Sequence, residues 1–293
     1  MISMIDHVVI LVRDLEQAIQ TYTDLGFTVQ AGGTHADGIT RNALIVFADG
    51  SYLELLHFLR PAPQHRWWRH VAYGEGLIDF ALLPTDTTAA IATAQQHGLA
   101  LAGPIAGGRL RPDGQQVAWE IALPPTPDLP FLCGDVTPRH LRVAEGDVRI
   151  HANGVQGIAG VTVAVPEIGA SVQRYRALLD LPHHPASPTE QMPPLVMPEL
   201  GAQIAMLPIG RAVVMLVQPG GVLSFTALDD TSSTPMSVPL RGPVSTFLET
   251  RGAGLYGLAL WQQSSPNPRY NHRLYDLGST HGVRIELVPM PNP

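Results

Sequence analysis

One order of apolar runs (strand, helix, strand, strand, strand) recurs along this chain, and such a repeat restricts the fold more than any single motif does. In the first unit the runs fall at residues 5–12, 15–25, 26–29, 42–47 and 51–56. A second unit repeats the order, and a third begins at Ile158. The last unit opens with GAGLYGLAL at 252–260, which is close to GEGLIDFAL at 74–82. The repeat predicts an α+β fold of four βαβββ modules.

A polar, irregular stretch between the second and third units predicts a domain boundary. We expect an N-terminal domain at 1–135, made of modules 1–58 and 74–135, then a linker at 136–152 and a C-terminal domain at 153–293. The glycine-rich segment before Arg109 predicts a turn.

The composition excludes several kinds of chemistry. The chain has no lysine, which rules out Schiff-base formation and lysine general bases. Its single cysteine, Cys133, cannot form an intramolecular disulfide, and its apolar neighbours predict a buried, inert thiol. A net charge of −7 without a long basic cluster argues against nucleic acid as a partner. There is no signal-peptide pattern and no long apolar run, so we expect a soluble cytoplasmic protein without a membrane partner.

The sharpest chemical signal is a pair of candidate metal ligands, His7 and Glu54, each in an otherwise apolar strand-like run. A carboxylate inside YLELL at 52–56 is costly to bury without a partner. Glu54 therefore needs a cation, a donor such as Arg41 or Asn42, or a water-filled cavity. The plainer interpretation of His7 is a half-buried histidine with satisfied hydrogen bonds.

Several short motifs resemble the vicinal oxygen chelate superfamily, and within it the family of glyoxalase-like domain proteins. They are DHVV at 6–9, TRNALI at 40–45, GSYLEL at 50–55, RLRPDG at 109–114 and HANG at 151–154. The superfamily includes glyoxalase I, methylmalonyl-CoA epimerase, extradiol dioxygenases and bleomycin-resistance proteins. The resemblance implies that the modules pair into two domains, each a curved mixed sheet that forms a cup.

The resemblance also implies where a metal would be held, because the superfamily takes its ligands from the first and fourth strands of the modules. Here these positions give His7, Asp79 and Glu54, with Asp79 where a second histidine is usual. One imidazole and two carboxylates would suit Mn²⁺, Fe²⁺, Zn²⁺ or Ni²⁺ and leave positions open for a bidentate substrate. The second half offers Gly160, Gly257 and Glu286, which predicts a degenerate domain with a scaffolding or dimerising role.

Other residues of the first half are candidates for substrate binding. Asn42 shares a strand face with Leu44 and could offer its amide to a substrate oxygen. Trp119 predicts an aromatic wall, with a plain core tryptophan as the alternative. Arg109 could bind a carboxylate through its planar guanidinium, or lie in a solvated loop. His35 lies in a glycine-rich loop that could act as a lid.

Two functions remain open on this basis. The first is a metal-dependent enzyme of the lyase, isomerase or dioxygenase type, in which His7 and Glu54 act on a small oxygen-bearing substrate as ligands or as general bases. The second is a metal-free protein of the bleomycin-resistance type that binds and sequesters a small molecule. The aspartate in place of a histidine and the bare glycines favour the binder, whereas buried Glu54 beside His7 favours the enzyme. Exchange of modules between two chains, which would give a homodimer, is also left open.

Overall fold

The N-terminal half of the chain forms one eight-stranded sheet in the order β2-β3-β4-β1-β5-β8-β7-β6. The computed structural model describes residues 1–111, 113–181, 195–197, 202–220, 222–225, 236–239, 242–263, 274–275 and 277–290. The first module consists of β1 (Ile2–Leu11), α1 (Leu15–Asp24), β2 (Gln30–Thr34), β3 (Thr40–Val46) and β4 (Tyr52–Phe58). The second consists of β5 (Gly76–Pro84), α2 (Thr87–Gln96), β6 (Ala102–Leu110), β7 (Gln116–Leu123) and β8 (Phe131–Asp135).

The two modules are joined through their first strands. β1 pairs parallel with β4 of its own module and antiparallel with β5 of the next, and β5 pairs parallel with β8. Each crossover helix begins at an aspartate: Asp14 accepts a hydrogen bond from Gln17 N–H, and Asp86 accepts one from Ala89 N–H. Both modules therefore contribute strands to one continuous sheet.

The C-terminal half forms a second sheet in the order β10-β11-β12-β9-β15-β16, with a separate pair, β13 and β14. A short helix, α3 (Arg139–Arg142), precedes it. Its elements are β9 (Val155–Ala164), α4 (Ile168–Leu179), β10 (Leu195–Met197), β11 (Ala202–Ile209), β12 (Ala212–Pro219), β13 (Val222–Phe225), β14 (Met236–Pro239), α5 (Pro243–Arg251), β15 (Gly254–Gln262) and β16 (Ile285–Pro289).

Alternation along the strands gives each sheet two different faces. Val8 and Ile10 of β1 join a large core with α1, α2, α4 and one face of the second sheet. Val9 and Leu11 point to the other face, where they pack with Phe131 of β8. The paired βαβββ modules confirm the predicted α+β fold of two curved mixed sheets.

Three local predictions differ from the structure. The strand expected at 26–29 lies at β2, after a turn at Gly26. The glycine-rich segment expected to be a turn is the edge strand β6, held by its antiparallel pairing with β7. The expected linker at 136–152 is not purely irregular, because it contains α3 and a 3-10 turn at Asp147–Arg149.

Candidate active site

A cavity of about 640 Å³ opens on the face of the first sheet that carries Val9 and Leu11. Its wall comes from β1, β3, β4, β6, β7 and β8, so both modules contribute. The polar side chains at its lining include His7, His35, Asn42, Tyr52, Glu54 and Arg109, and the apolar ones include Leu44, Trp67, Trp119, Ile121 and Phe131. This volume is in the range of pockets that hold small organic molecules.

His7 is fixed from behind by its neighbour in the strand. Its Nδ1 donates to Asp6 Oδ2 at 2.7 Å, and its ring stacks on Tyr52 with ring centroids 4.6 Å apart. The ring of Phe131 contacts it edge-on at 5.4 Å. His7 is only 3% exposed. Backbone, hydrogen bond and ring contacts therefore leave Nε2 as the atom that His7 offers to the cavity.

Asp6 is fully buried and is held as a carboxylate by two arginines that follow the first sheet in the chain. Arg142 Nη1 lies 2.7 Å from Asp6 Oδ2, and Arg139 Nη1 lies 2.7 Å from Oδ1. Burial alone would raise the pKa of Asp6, but Arg142, His7 and Arg139 outweigh it and hold the pKa well below its usual range. Arg142 also donates to the Tyr52 hydroxyl at 2.8 Å, so the same cation aligns both residues that orient His7.

The ionised state of Asp6 determines the tautomer of His7. An ionised carboxylate can only accept hydrogen bonds, so the neutral imidazole carries its proton on Nδ1 and has a lone pair on Nε2. Nε2 lies 3.6 Å from Glu54 Oε2, beyond hydrogen-bond distance. A lone pair facing a carboxylate oxygen is repulsive unless a proton or a polar ligand group lies between them. The gap between the two atoms therefore suits a polar group of a bound ligand, such as a hydroxyl.

Glu54 is buried and is held by β3. Asn42 Nδ2 donates to Glu54 Oε1 at 2.6 Å. His35 Nε2 lies 3.5 Å from the same oxygen, and His35 Nδ1 is 2.7 Å from Thr40 Oγ1. The buried Asn42 Oδ1 has no hydrogen-bond partner among the described residues. Gly32 faces it so closely that a methyl group there would lie 2.9 Å from Asn42 Cγ, and only glycine leaves the amide its place.

Asp79, the third expected metal ligand, is occupied elsewhere. Its carboxylate pairs with Arg66 and accepts a hydrogen bond from Trp67 Nε1 at 2.8 Å. Asp79 does not line the cavity. There, the imidazoles of His7 and His35 are the ionisable groups that lie beside Glu54. The imidazoles of His7 and His35 approach different oxygens of Glu54. Within the described ranges, no group of three or more His, Cys, Asp or Glu side chains could hold one ion. The expected ligand set of His7, Asp79 and Glu54 therefore does not come together around one ion.

The four expected substrate-binding residues, Asn42, Trp119, Arg109 and His35, all lie at the cavity. Trp119 meets His35 edge-on, with ring centroids 6.2 Å apart, and its indole lies over Gly107. Arg109 is buried and pairs through its backbone with His35. The loop around His35 is thereby attached to β6.

Two of the residues that organise the site differ in how visible they are in the sequence. Asp6 interrupts an apolar run just as Glu54 does, so its burial was a detectable signal. Arg142 gave no such signal, because it lies in a polar segment far from His7 in the chain. Cys133 lines the cavity and is buried, as expected. Burial raises the pKa of its thiol to about 12, which disfavours the nucleophilic thiolate.

The second sheet has no equivalent polar centre among the residues that are described. Glu286 is exposed, and Gly160 lies against the backbone of Val213. The helix α5 packs Val244, Phe247 and Leu248 on the face that corresponds to the cup. A helix on that face leaves less room for a ligand there than in the first sheet.

The family model for the glyoxalase-like domain matches residues 5–179, which is more than half of the chain. The chain belongs to the glyoxalase-like domain family. This match covers the first sheet from residue 5 onward, the segment at 136–152, and the elements β9 and α4. No curated protein is similar enough to match the sequence.

Solved structures show the same fold as this glyoxalase-like protein. A hypothetical protein from Staphylococcus aureus has a TM-score of 0.65 at 13% identity, over 98% of this chain and 99% of its own. A mutant 4-hydroxymandelate synthase from Streptomyces coelicolor has a TM-score of 0.58 at 18% identity, over 90% of this chain and 72% of its own. A xylose isomerase-like TIM barrel/4-hydroxyphenylpyruvate dioxygenase fusion protein has a TM-score of 0.51 at 15% identity, over 90% and 37%. At these identities the likeness concerns the fold alone, and it confirms the predicted α+β fold.

None of the described helices is long and apolar enough to cross a membrane.

Proposed function

We propose that this protein is an enzyme that moves a proton on a small oxygen-bearing substrate bound in the N-terminal cup. The observation that carries the proposal is the line of Asp6, His7 and Glu54, with His7 Nδ1 2.7 Å from Asp6 and Nε2 3.6 Å from Glu54. A buried carboxylate that orients an imidazole is the arrangement by which enzymes fix the tautomer of a general base. The reaction class is an isomerisation or a lyase reaction.

In the proposed reaction His7 Nε2 takes a proton from a carbon next to a substrate carbonyl. The electron pair of the broken C–H bond moves toward that carbonyl oxygen, and the imidazolium formed is stabilised by Asp6. Glu54, beside Nε2, orients the substrate. The imidazolium then gives the same proton back to the substrate, at the oxygen or at the neighbouring carbon, either directly or by way of Glu54, whose Oε2 lies 3.6 Å from Nε2, and His7 is again the neutral base. Asp6 is a positioning residue, since it acts through His7, and Arg142 in turn keeps Asp6 ionised. Such acid–base catalysis contributes roughly 10²- to 10⁴-fold to a rate.

The metal-dependent lyase, isomerase or dioxygenase implied by the resemblance would need His7, Glu54 and a third ligand around one ion. Because the described donors do not fit that arrangement, no step of the proposed reaction passes through a metal.

The second candidate is a metal-free binding protein of the bleomycin-resistance type. It is favoured by the apolar part of the cavity wall, formed by residues such as Trp67, Trp119 and Phe131. A binder would hold its ligand without changing it. Binding and turnover must therefore be measured on the same molecules.

The test follows deuterium incorporation by NMR into phenyl-substituted 2-oxo acids, 2-hydroxy ketones and 1,2-diketones in D₂O, while tryptophan fluorescence reports binding. Wild-type protein should accelerate exchange in at least one bound probe. His7→Ala and Glu54→Gln should each lower that rate by about 100-fold or more. The matched control is His97→Ala, since His97 pairs with exposed Asp180, away from the cavity. Probes that bind but never exchange would refute the enzyme and support the binder.

A further inference from the structure

Arg109 is a buried cation that has no anionic partner among the described residues. It is 8% exposed, and it donates to the backbone carbonyls of Gly32 and, at 3.3 Å, of Arg142. Among the residues that the structure describes, no carboxylate lies within ion-pair distance of its guanidinium. These two carbonyl oxygens engage two of the five N–H groups of the guanidinium and do not balance its charge, and a buried charge without a counter-charge is costly.

The other arginines around the cup differ from Arg109 in this respect. Arg142 and Arg139 are balanced by Asp6 and Asp135. Arg66 is paired with Asp79 and lies 4.2 Å from the centre of the Phe131 ring. Among the arginines that line the cavity, Arg109 is therefore the one that forms no ion pair with a carboxylate of the described residues.

We propose that Arg109 binds the carboxylate of the substrate, and that the substrate is a monocarboxylate with a ring-sized apolar body. A planar guanidinium pairs with a carboxylate through two parallel hydrogen bonds, so one arginine is enough to place such a group. The body would contact Trp119 and Ile121, which line the cavity on the neighbouring strand β7. This inference rests on the proposed function, which places the opposite, reacting end of the substrate at His7 and Glu54.

A monoanion fits better than a phosphate dianion. Glu54 lines the same cavity, and its negative charge acts on Arg109. A dianion would therefore meet one unpaired cation and a nearby carboxylate. Phosphate sites usually combine several charged or backbone N–H donors, whereas a single arginine suits a carboxylate.

The experiment compares two probes of the same shape, 3-phenylpropanoate and its uncharged amide 3-phenylpropanamide, by calorimetry. Wild-type protein should bind the carboxylate at least about tenfold more tightly than the amide, which is the effect of one charge-assisted contact. Arg109→Gln should abolish this preference, and Arg109→Lys should keep part of it. The matched control is Arg111→Gln, which also removes one positive charge but lies outside the cavity lining, beside Asp113.

The outcomes separate this inference from the proposed function. Equal binding of the two probes to wild-type protein would overturn the inference without any variant, even if Arg109→Gln fails to fold. Exchange in phenyl-substituted 2-oxo acids that is insensitive to Arg109→Gln would also overturn it, while leaving proton transfer at His7 intact. Carboxylate binding that depends on Arg109, without exchange in any bound probe, would support the inference and refute the enzyme.

Discussion

His151 should make the protein less stable in mild acid, because the folded state requires its neutral form. The ring is 5% exposed and lies between two main-chain groups. Nδ1 accepts from Thr28 N–H at 3.0 Å, and Nε2 donates to the Val46 carbonyl at 3.0 Å. The edges of Phe27 and Phe47 pack around it. A second proton on Nδ1 would place two donors against each other.

The size of the effect follows from the shift in pKa. Burial lowers the pKa of His151 from 6.5 to about 4, against a small opposing effect of the Val46 carbonyl. Between these values the unfolded chain binds a proton that the folded protein does not, so acid favours unfolding. The stabilisation is fully present above pH 6.5 and is lost as the pH falls toward 4. Between pH 7.5 and 4.5 the loss amounts to about 2.5 kcal/mol.

Urea unfolding followed by circular dichroism at both pH values measures this loss. The control variant is His151→Gln, whose amide can accept from Thr28 and donate to Val46 but does not titrate. The drop in the free energy of unfolding from pH 7.5 to pH 4.5 should be about 2.5 kcal/mol smaller for this variant than for the wild type. Burial also lowers the pKa of His70 to about 4, but His70 is present in both proteins and its effect cancels. Equal pH dependence of the two proteins, or an NMR titration of His151 near 6.5, would refute the reasoning.

Three further perturbations test the site. Arg142→Met removes one of the two arginines that pair with buried Asp6 and should lower the free energy of unfolding by about 3–5 kcal/mol, whereas Arg111→Met should cost under about 1 kcal/mol. Similar losses in urea unfolding would contradict the role of the buried pair. A methyl group in Gly107→Ala would lie 2.8 Å from Trp119 Cδ1, so it should displace the indole, change its emission and weaken binding of 3-phenylpropanoate. An unchanged spectrum would argue against the aromatic wall. Removal of metals by dialysis against EDTA should leave the rate of deuterium exchange unchanged, and activity restored only by Mn²⁺, Fe²⁺, Zn²⁺ or Ni²⁺ would contradict proton transfer by side chains alone.

The fold could be predicted largely from the sequence, because each module carries its own periodic pattern. The exceptions have local physical reasons. β6 reads AGPIAGGRL, which has neither the alternation nor the β-branched residues of a typical strand. It is a strand because β7 supplies its hydrogen bonds along one edge, and Gly107 leaves room for the Trp119 indole. Such tertiary support is not visible in a local pattern.

The candidate site could be predicted only in part. His7 and Glu54 interrupt apolar runs, and β1 and β4 are neighbouring parallel strands, so their proximity follows from the module. The role expected for Asp79 does not follow from its strand position, since Arg66 and Trp67, from the connection between the modules, occupy its carboxylate. The position of a residue in a strand fixes the place of its backbone, but not which neighbouring side chains bind its carboxylate.

The segment at 136–152 connects these observations, because it completes the first domain although it follows the last strand of that domain. Its Arg139 and Arg142 supply the counter-charge for Asp6, and its His151 contacts the backbone of β3. A chain that ended at Asp135 would bury Asp6 without either arginine, and the pairing that orients His7 would lose its support. The family match extends through this segment to residue 179, as expected if the site and the segment form one unit. The polar contacts that support His7 therefore extend beyond the last strand of the first sheet, into a segment whose sequence predicts a linker.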